Sequence, residues 1–175
     1  ARQVLAAYPV GAHRLLMDGG GGEGVFAAAA AHAAPRLMVR VVDLAPVAEL
    51  ARARFAAEGL ASRAEAVAAD GRAGALPGGA DLITFVRVLH DHDDPAVMDF
   101  LKSAKAALKP GGRLLIAEPM ALTRGARAMG HAYFGFYLLA MGQGRPRSKA
   151  ELTAMLKAAG FRRVRECATA QPVLV

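Results

Sequence analysis

The sequence predicts an α/β domain built on a mostly parallel, doubly wound sheet with helices on both faces. Three observations carry that expectation. Short apolar, β-branched runs alternate with helix-forming segments at the spacing of crossover units. A glycine run, Gly19 to Gly22, stands between the first of these strands and the alanine-rich segment after it. At the far end, FRRVREC and QPVLV are separated by too few residues for a crossover helix, which predicts an antiparallel hairpin finishing the sheet.

Each element has its own signature. RLLMD (Arg14 to Asp18) is a short apolar strand, and EGVFAAAAAHAA has helix-forming composition from Glu23 onward. LMVRVVD forms the second strand and ends at Asp43. Pro46 then sits early in the helix VAELARARFAAEGL, where its missing N–H costs little, and Gly59 closes that helix. A weaker strand is expected near Ala64 to Ala68, before the turn-rich stretch DGRAGALPGGAD. LITFVRVL (Leu82 to Leu89) is apolar apart from Thr84 and Arg87 and reads as a buried parallel strand. A helix from about Pro95 to Leu108 stops at Lys109-Pro110-Gly111-Gly112, and GRLLIAEP is the fifth strand. Helical segments are expected around Ala126 to Met141 and over SKAELTAMLKAAG. No repeat or linker interrupts the chain, so residues 1–175 read as one domain.

Composition narrows the function classes. The chain of 175 residues is 54% hydrophobic and 21% charged, with a formal charge of +7 and a pI near 10.2. A nucleic acid or an anionic membrane must therefore be weighed as partners. No stacking platform of aromatic and basic residues and no recognition motif accompanies the charge, which argues against nucleic acid. The lone Cys167 cannot form an internal disulfide, and the start ARQVLAA lacks the apolar core of a signal peptide. The longest apolar stretches, VFAAAAA from Val25 and YFGFYLLAM from Tyr133, fall short of the roughly 20 residues a membrane span needs. Together these predict a cytoplasmic protein, with peripheral membrane contact as the alternative use of its charge.

Gly19, Gly21 and Gly24 satisfy G-x-G-x-x-G between a strand and a helix, and Asp43 ends the next strand 24 positions after Gly19. This arrangement predicts a nucleoside-containing cofactor, with backbone N–H groups at the helix start and Asp43 accepting from ribose hydroxyls. Asp18 and Glu23 make the loop acidic, which disfavours a pyrophosphate and suits a cationic sulfonium with its amino group. S-adenosylmethionine is thereby favoured over NAD. Asp70 lies at the same carboxyl edge and either accepts from the adenine amino group or belongs to a solvated turn.

His90, Asp91, His92, Asp93 and Asp94 crowd the end of the fourth strand, where ligands of open α/β sheets bind. In one reading His90 is a general base for a substrate hydroxyl, and Asp91 or Glu118 orients its imidazole. In another, His90, His92 and Asp94 are metal ligands, but Pro95 stands where the further histidine of such motifs belongs, so no metal is expected. Asp93 or Asp94 also suits the N-cap of the following helix. An NAD-dependent oxidoreductase using the same glycine loop and a non-catalytic binding module are the competing function classes.

Taken together, RLLMDGGGGEG, VVDLAPV, AADGR, ADLITFVRVLHDHDD, LKPGGRLLIAEP and AELTAMLKAAGF resemble the successive motifs of S-adenosylmethionine-dependent small-molecule O-methyltransferases, a family with plant caffeate and flavonoid enzymes and many bacterial members. The resemblance covers nearly the whole chain. It implies a Rossmann-like sheet of seven strands with an antiparallel last strand. It also implies a catalytic domain that normally follows an amino-terminal helical domain, through which the enzymes dimerise. Within the family, AYPVGAHRLLMDGGGGEG and AYFGFYLLAMGQGRPRS are most similar to the branch of carotenoid synthesis that methylates hydroxyneurosporene.

By that resemblance Gly20 and Gly22 line the methionine part of the cofactor, with Asp18 beside them. Asp43 holds the ribose, Leu44 beside it is also cofactor-binding, Asp70 and Gly71 border the adenine, and Arg87, also counted as cofactor-binding, stands beside the position of a family lysine. His90 takes the place of the catalytic base and Glu118 that of a glutamate orienting it. Two departures stand out: His92 replaces a tryptophan of the plant members, and Pro146 falls where they carry a second orienting glutamate. Met129, Phe134, Tyr137 and Met141 fall where the family builds its substrate pocket, and would suit a long lipophilic alcohol such as a hydroxylated carotenoid, or else pack a helix on the core.

Overall fold

A computed structural model of the chain describes residues 1–70, 76–122 and 142–169. A short helix α1 (Arg2–Ala7) leads through a 3₁₀ turn into β1 (Leu15–Gly19). There follow α2 (Val25–Ala33), β2 (Met38–Asp43), α3 (Ala45–Ala57), β3 (Ala64–Ala68), β4 (Ala80–Val86), α4 (Asp94–Ala107), β5 (Leu108–Ala117) and α5 (Lys149–Ala158). The described strands form one parallel sheet in the order β3-β2-β1-β4-β5. The chain therefore winds outward from β1 in one direction, returns, and winds outward through β4 in the other.

Successive residues of each strand face opposite sides of the sheet, and each side has its own core. Leu16, Val39, Val41 and Leu82 pack with Phe26 and the small residues Ala27, Ala30 and Ala31 of α2, and with Ala48, Ala51 and Phe55 of α3. Met17, Val42, Ile83 and Phe85 pack on the other side with Val97, Phe100, Leu101 and Ala104 of α4 and Leu152 of α5. Alanines on α2 let that helix lie close to the sheet. At the amino edge, Asp81 accepts from the backbone N–H groups of Arg14 and Leu15 and lies 3.5 Å from His13, whose ring stacks on Tyr8.

Most expected elements stand within a residue or two of their places. The second helix starts at Val25 rather than Glu23, because Gly24 occupies its N-cap in a left-handed conformation. β5 begins at Leu108, since the Pro110–Gly112 stretch already belongs to the strand after α4 ends at Ala107. The expected hairpin is corrected in part: FRRVREC, residues 161–167, is not a strand. Arg162, Arg163, Val164, Arg165 and Glu166 are all exposed, so the segment has little apolar surface to bury in a sheet, and it walls a cleft of about 990 Å³ along β5. Five strands are thus described where seven were expected. QPVLV, Gly71, the expected helix over 126–141 and the pocket candidates Met129, Phe134, Tyr137 and Met141 lie outside the described residues.

Candidate active site

Because every described strand is parallel, the carboxyl ends of all five meet at one edge. Asp18 is the penultimate residue of β1, Asp43 ends β2, Asp70 follows β3, Arg87 to His92 follow β4, and Glu118 follows β5. The crevice between β1 and β4 is where the winding reverses, and the glycine loop and His90 flank it.

The loop is shaped by its neighbours. Gly20 (φ +65°) and Gly22 (φ +59°) are left-handed; a side chain on Gly20 would strike Val88 at 2.9 Å, whereas one on Gly22 would meet nothing within 4 Å. Gly22 thus leaves open space where its backbone turns. Its N–H donates to Asp43 Oδ2 at 2.8 Å, and the N–H of Leu44 donates to Asp43 Oδ1 at 2.7 Å, so the carboxylate is held by the backbone on both oxygens. Leu44 itself is exposed at the mouth.

Asp18 is only 2% exposed and faces the loop from below. Burial pushes its carboxyl up to about 7, against the hydroxyl of Thr84, which donates to Oδ1 at 2.6 Å, and with help from the charge of Asp43. A cation bound beside it would restore the ionised form. Thr84, opposite Asp18 in the sheet register, is a site residue that sequence reasoning passed over. Its signal was a hydroxyl in an otherwise apolar buried run.

The turn after β4 is built around one carboxylate. Arg87 adopts φ +60°, a strained geometry for a residue with a side chain, while its N–H donates to Ala117 O at 2.9 Å. The chain then turns so that the N–H groups of Val88 and Leu89 both donate to Glu118 Oε1, at 2.8 and 2.7 Å. The other oxygen, Oε2, lies 2.6 Å from His90 Nδ1. With Oε1 already accepting twice, Glu118 acts as an acceptor toward the imidazole, which places the shared proton on Nδ1. His90 Nε2 lies 3.2 Å from Asp91 Oδ1, a buried oxygen with no hydrogen-bond partner among the described residues. His90 and Glu118 are 4% and 3% exposed, and Asp91 lies at the rim. Both sequence candidates for orienting the imidazole are therefore in contact with it, on opposite nitrogens.

His90, His92 and Asp94 do not converge. The ring of His92 lies 5.0 Å from that of Phe100, and Asp94 pairs with Arg145 and Arg147. Arg145, with Arg147 beside it, holds the Asp94 carboxyl below its usual range despite partial burial. Among the described residues no cluster of three or more His, Cys, Asp or Glu side chains could hold a metal ion. Asp93 occupies the N-cap of α4, but its carboxylate gives the helix no side-chain cap and accepts from the N–H of Gly144 at 2.9 Å instead. Arg87 is exposed at this edge, and Asp70 lies just beyond β3. The buried Arg147 and the tightly fitted Gly144 are further residues of the site that the sequence did not single out.

Comparison with known proteins agrees with this layout. The model of the O-methyltransferase domain matches residues 1–162. The demethylspheroidene O-methyltransferase of Cereibacter sphaeroides is 42% identical over 154 residues, covering 87% of this chain and 40% of that protein. The 3-hydroxy-5-methyl-1-naphthoate 3-O-methyltransferase of Streptomyces sahachiroi is 35% identical over 172 residues, covering 98% and 50%. Human N-acetylserotonin methyltransferase, solved in complex with S-adenosylmethionine, superposes with a TM-score of 0.82 at 28% identity, covering 99% of this chain and 49% of that one. The chain thus spans half or less of the length of these relatives. From its fold, its glycine loop and this similarity over most of its length, the chain belongs to the O-methyltransferase domain family.

Proposed function

We propose that this chain is the cofactor-binding and catalytic part of an enzyme that transfers a methyl group from S-adenosylmethionine to a hydroxyl of a lipophilic small molecule. The observation that carries the reading is the buried His90, held between Glu118 at one ring nitrogen and Asp91 at the other, beside the glycine loop. The cofactor supplies the methyl group from its sulfonium. Gly20, Gly22, Asp43 and Leu44 bind it, and the buried acid Asp18 suits its positive charge. Asp70, Gly71 and Arg87 complete the adenine end.

His90 Nε2 accepts the proton of the substrate hydroxyl. The substrate hydroxyl replaces Asp91 Oδ1 as the neighbour of Nε2, while Glu118 keeps Nδ1 protonated and stabilises the imidazolium that forms. A hydroxylated carotenoid of the hydroxyneurosporene type is the favoured acceptor, supported by the 42% identity to the Cereibacter relative. For so weak an acid as a tertiary alcohol, alignment by the pocket contributes more than proton removal. Met129, Phe134, Tyr137 and Met141 belong to that pocket in this reading. The naphthoate relative favours an aromatic or polyketide hydroxyl as the second reading. Dimerisation through a preceding helical domain, a cytoplasmic location and peripheral contact with an anionic membrane belong to the same proposal.

The intact protein incubated with methyl-labelled cofactor should label hydroxyneurosporene in preference to a hydroxynaphthoate; the reverse preference selects the second reading. Replacing His90 by Ala should lower the rate roughly 10²- to 10⁴-fold. An unchanged rate removes His90 as the base. Thermal protection by NADH and none by S-adenosylhomocysteine would overturn the cofactor and restore an oxidoreductase.

A further inference from the structure

The turn that carries His90 is held from outside by one buried arginine. Arg147 is 3% exposed. Its Nη1 donates to Leu89 O at 2.8 Å and its Nη2 to His92 O at 2.7 Å, so one planar guanidinium bridges the carbonyls on either side of His90 and Asp91. Nε donates to Asp94 Oδ1 at 2.9 Å, at the first turn of α4. Nη1 also reaches Arg145 O at 3.3 Å.

Arg147 is in turn set by its own segment. Its carbonyl accepts from Ala121 N, and Ser148 caps α5 with Glu151 in a reciprocal capping box. Arg145 spans Asp94 and Glu151, at 2.9 and 2.7 Å. Gly144, left-handed at φ +83°, lies so close that a Cβ there would stand 2.3 Å from the His90 carbonyl oxygen. Gly144 and Arg147 thus press on the backbone of the His90 turn at successive points.

We propose that Arg147 is a positioning residue for the proposed base: by fixing the carbonyls of Leu89 and His92 it sets the direction of the His90 imidazole between Glu118 and the substrate. This rests on the reading of His90 as the base. A buried guanidinium is costly unless each donor finds an acceptor, and Arg147 directs its donors at the ends of one short turn. Lysine carries the charge but a single donor head, so it cannot bridge both carbonyls and Asp94 in the same geometry. The bridge stands in the segment where Pro146 replaces the second orienting glutamate of plant members, and it acts on the backbone of the base rather than on its ring.

The test uses the intact protein with Arg147→Lys and Arg147→Met, measured beside His90→Ala. Expected for Arg147→Lys are a folded protein with S-adenosylhomocysteine affinity within about twofold of the parent and a kcat lower by about tenfold or more, since small misplacements of a reacting group are costly. The pH profile of kcat should shift, and the downfield proton signal of His90 Nδ1–H, recorded by NMR without turnover, should move or broaden. Parental kcat and an unchanged His90 signal in either folded variant overturn the proposal. Unfolding of both variants overturns it too, since Arg147 would then serve stability alone. If His90→Ala retains full activity, the base reading falls, while the His90 signal still judges whether Arg147 sets the imidazole.

Discussion

The side chain of Asp18 couples the site to pH. Its folded-state value, about 7, lies above the ordinary carboxylate value of 3.8 that holds when the chain is unfolded. The folded state therefore binds the extra proton between those limits, so the contribution to stability is full below about pH 4 and is lost as pH rises through 7. Each unit of such a shift is worth ~1.4 kcal/mol. Asp18→Asn should flatten the fall in thermal midpoint between pH 5 and pH 8; an equal slope in both proteins would contradict the assignment. Near pH 7 the carboxyl is roughly half protonated, and a cationic cofactor favours the charged form. Calorimetric titration with S-adenosylmethionine in buffers of different ionisation enthalpy should show proton release, absent in Asp18→Asn. Binding without proton release would mean that Asp18 does not face the cation.

At the scale of elements, α5 ties the site to the rest of the fold. Ser148 Oγ accepts from the N–H of Glu151, and Glu151 Oε2 accepts from the Ser148 N–H at 2.8 Å and from its hydroxyl at 2.7 Å; the two bonds to Oε2, with Arg145, hold the Glu151 carboxyl down to about 2. Ser148→Ala should cost ~1 kcal/mol of stability by chemical denaturation. It should also lower kcat more than that loss implies if the cap helps to place Arg147, whereas a purely thermal effect would limit the role to the helix. The sheet elements were legible because apolar runs, proline and glycine mark them locally. The tail was not, since whether residues 161–167 form a strand depends on pairing with a neighbour, which local composition does not decide. The candidate site was legible where one strand end carries its own chemistry, as at Asp18, Asp43, His90 and Glu118. Arg147 lies 57 positions beyond His90 in the chain. Its role comes from carbonyl groups, which every residue has and no motif records.

For the molecule as a whole, the +7 charge is unevenly spread. The carboxyl edge of the sheet gathers Asp18, Asp43, Asp91 and Glu118, whereas Lys105, Arg113, Lys149, Arg162, Arg163 and Arg165 line the cleft along β5 together with Leu115, Met120 and Leu156. Among the described residues no helix is long and apolar enough to cross a membrane. On the proposed reading of a lipophilic acceptor, a surface that is basic and partly apolar suits the margin of an anionic bilayer. The intact protein should sediment with acidic vesicles at low ionic strength and be released by salt. Sedimentation with neutral vesicles alone, or none at low salt, would remove the membrane from the account.

The parallel order of the sheet also separates two kinds of experiment. Asp81, His13 and Tyr8 lie at the amino ends of the strands, across the full length of β1 and β4 from Asp18 and His90. Damage introduced there reaches the reacting groups only by loosening the whole sheet. Substitutions at that edge therefore measure how activity declines when stability alone is lowered. Any variant at the other edge that falls below this line has lost something besides stability.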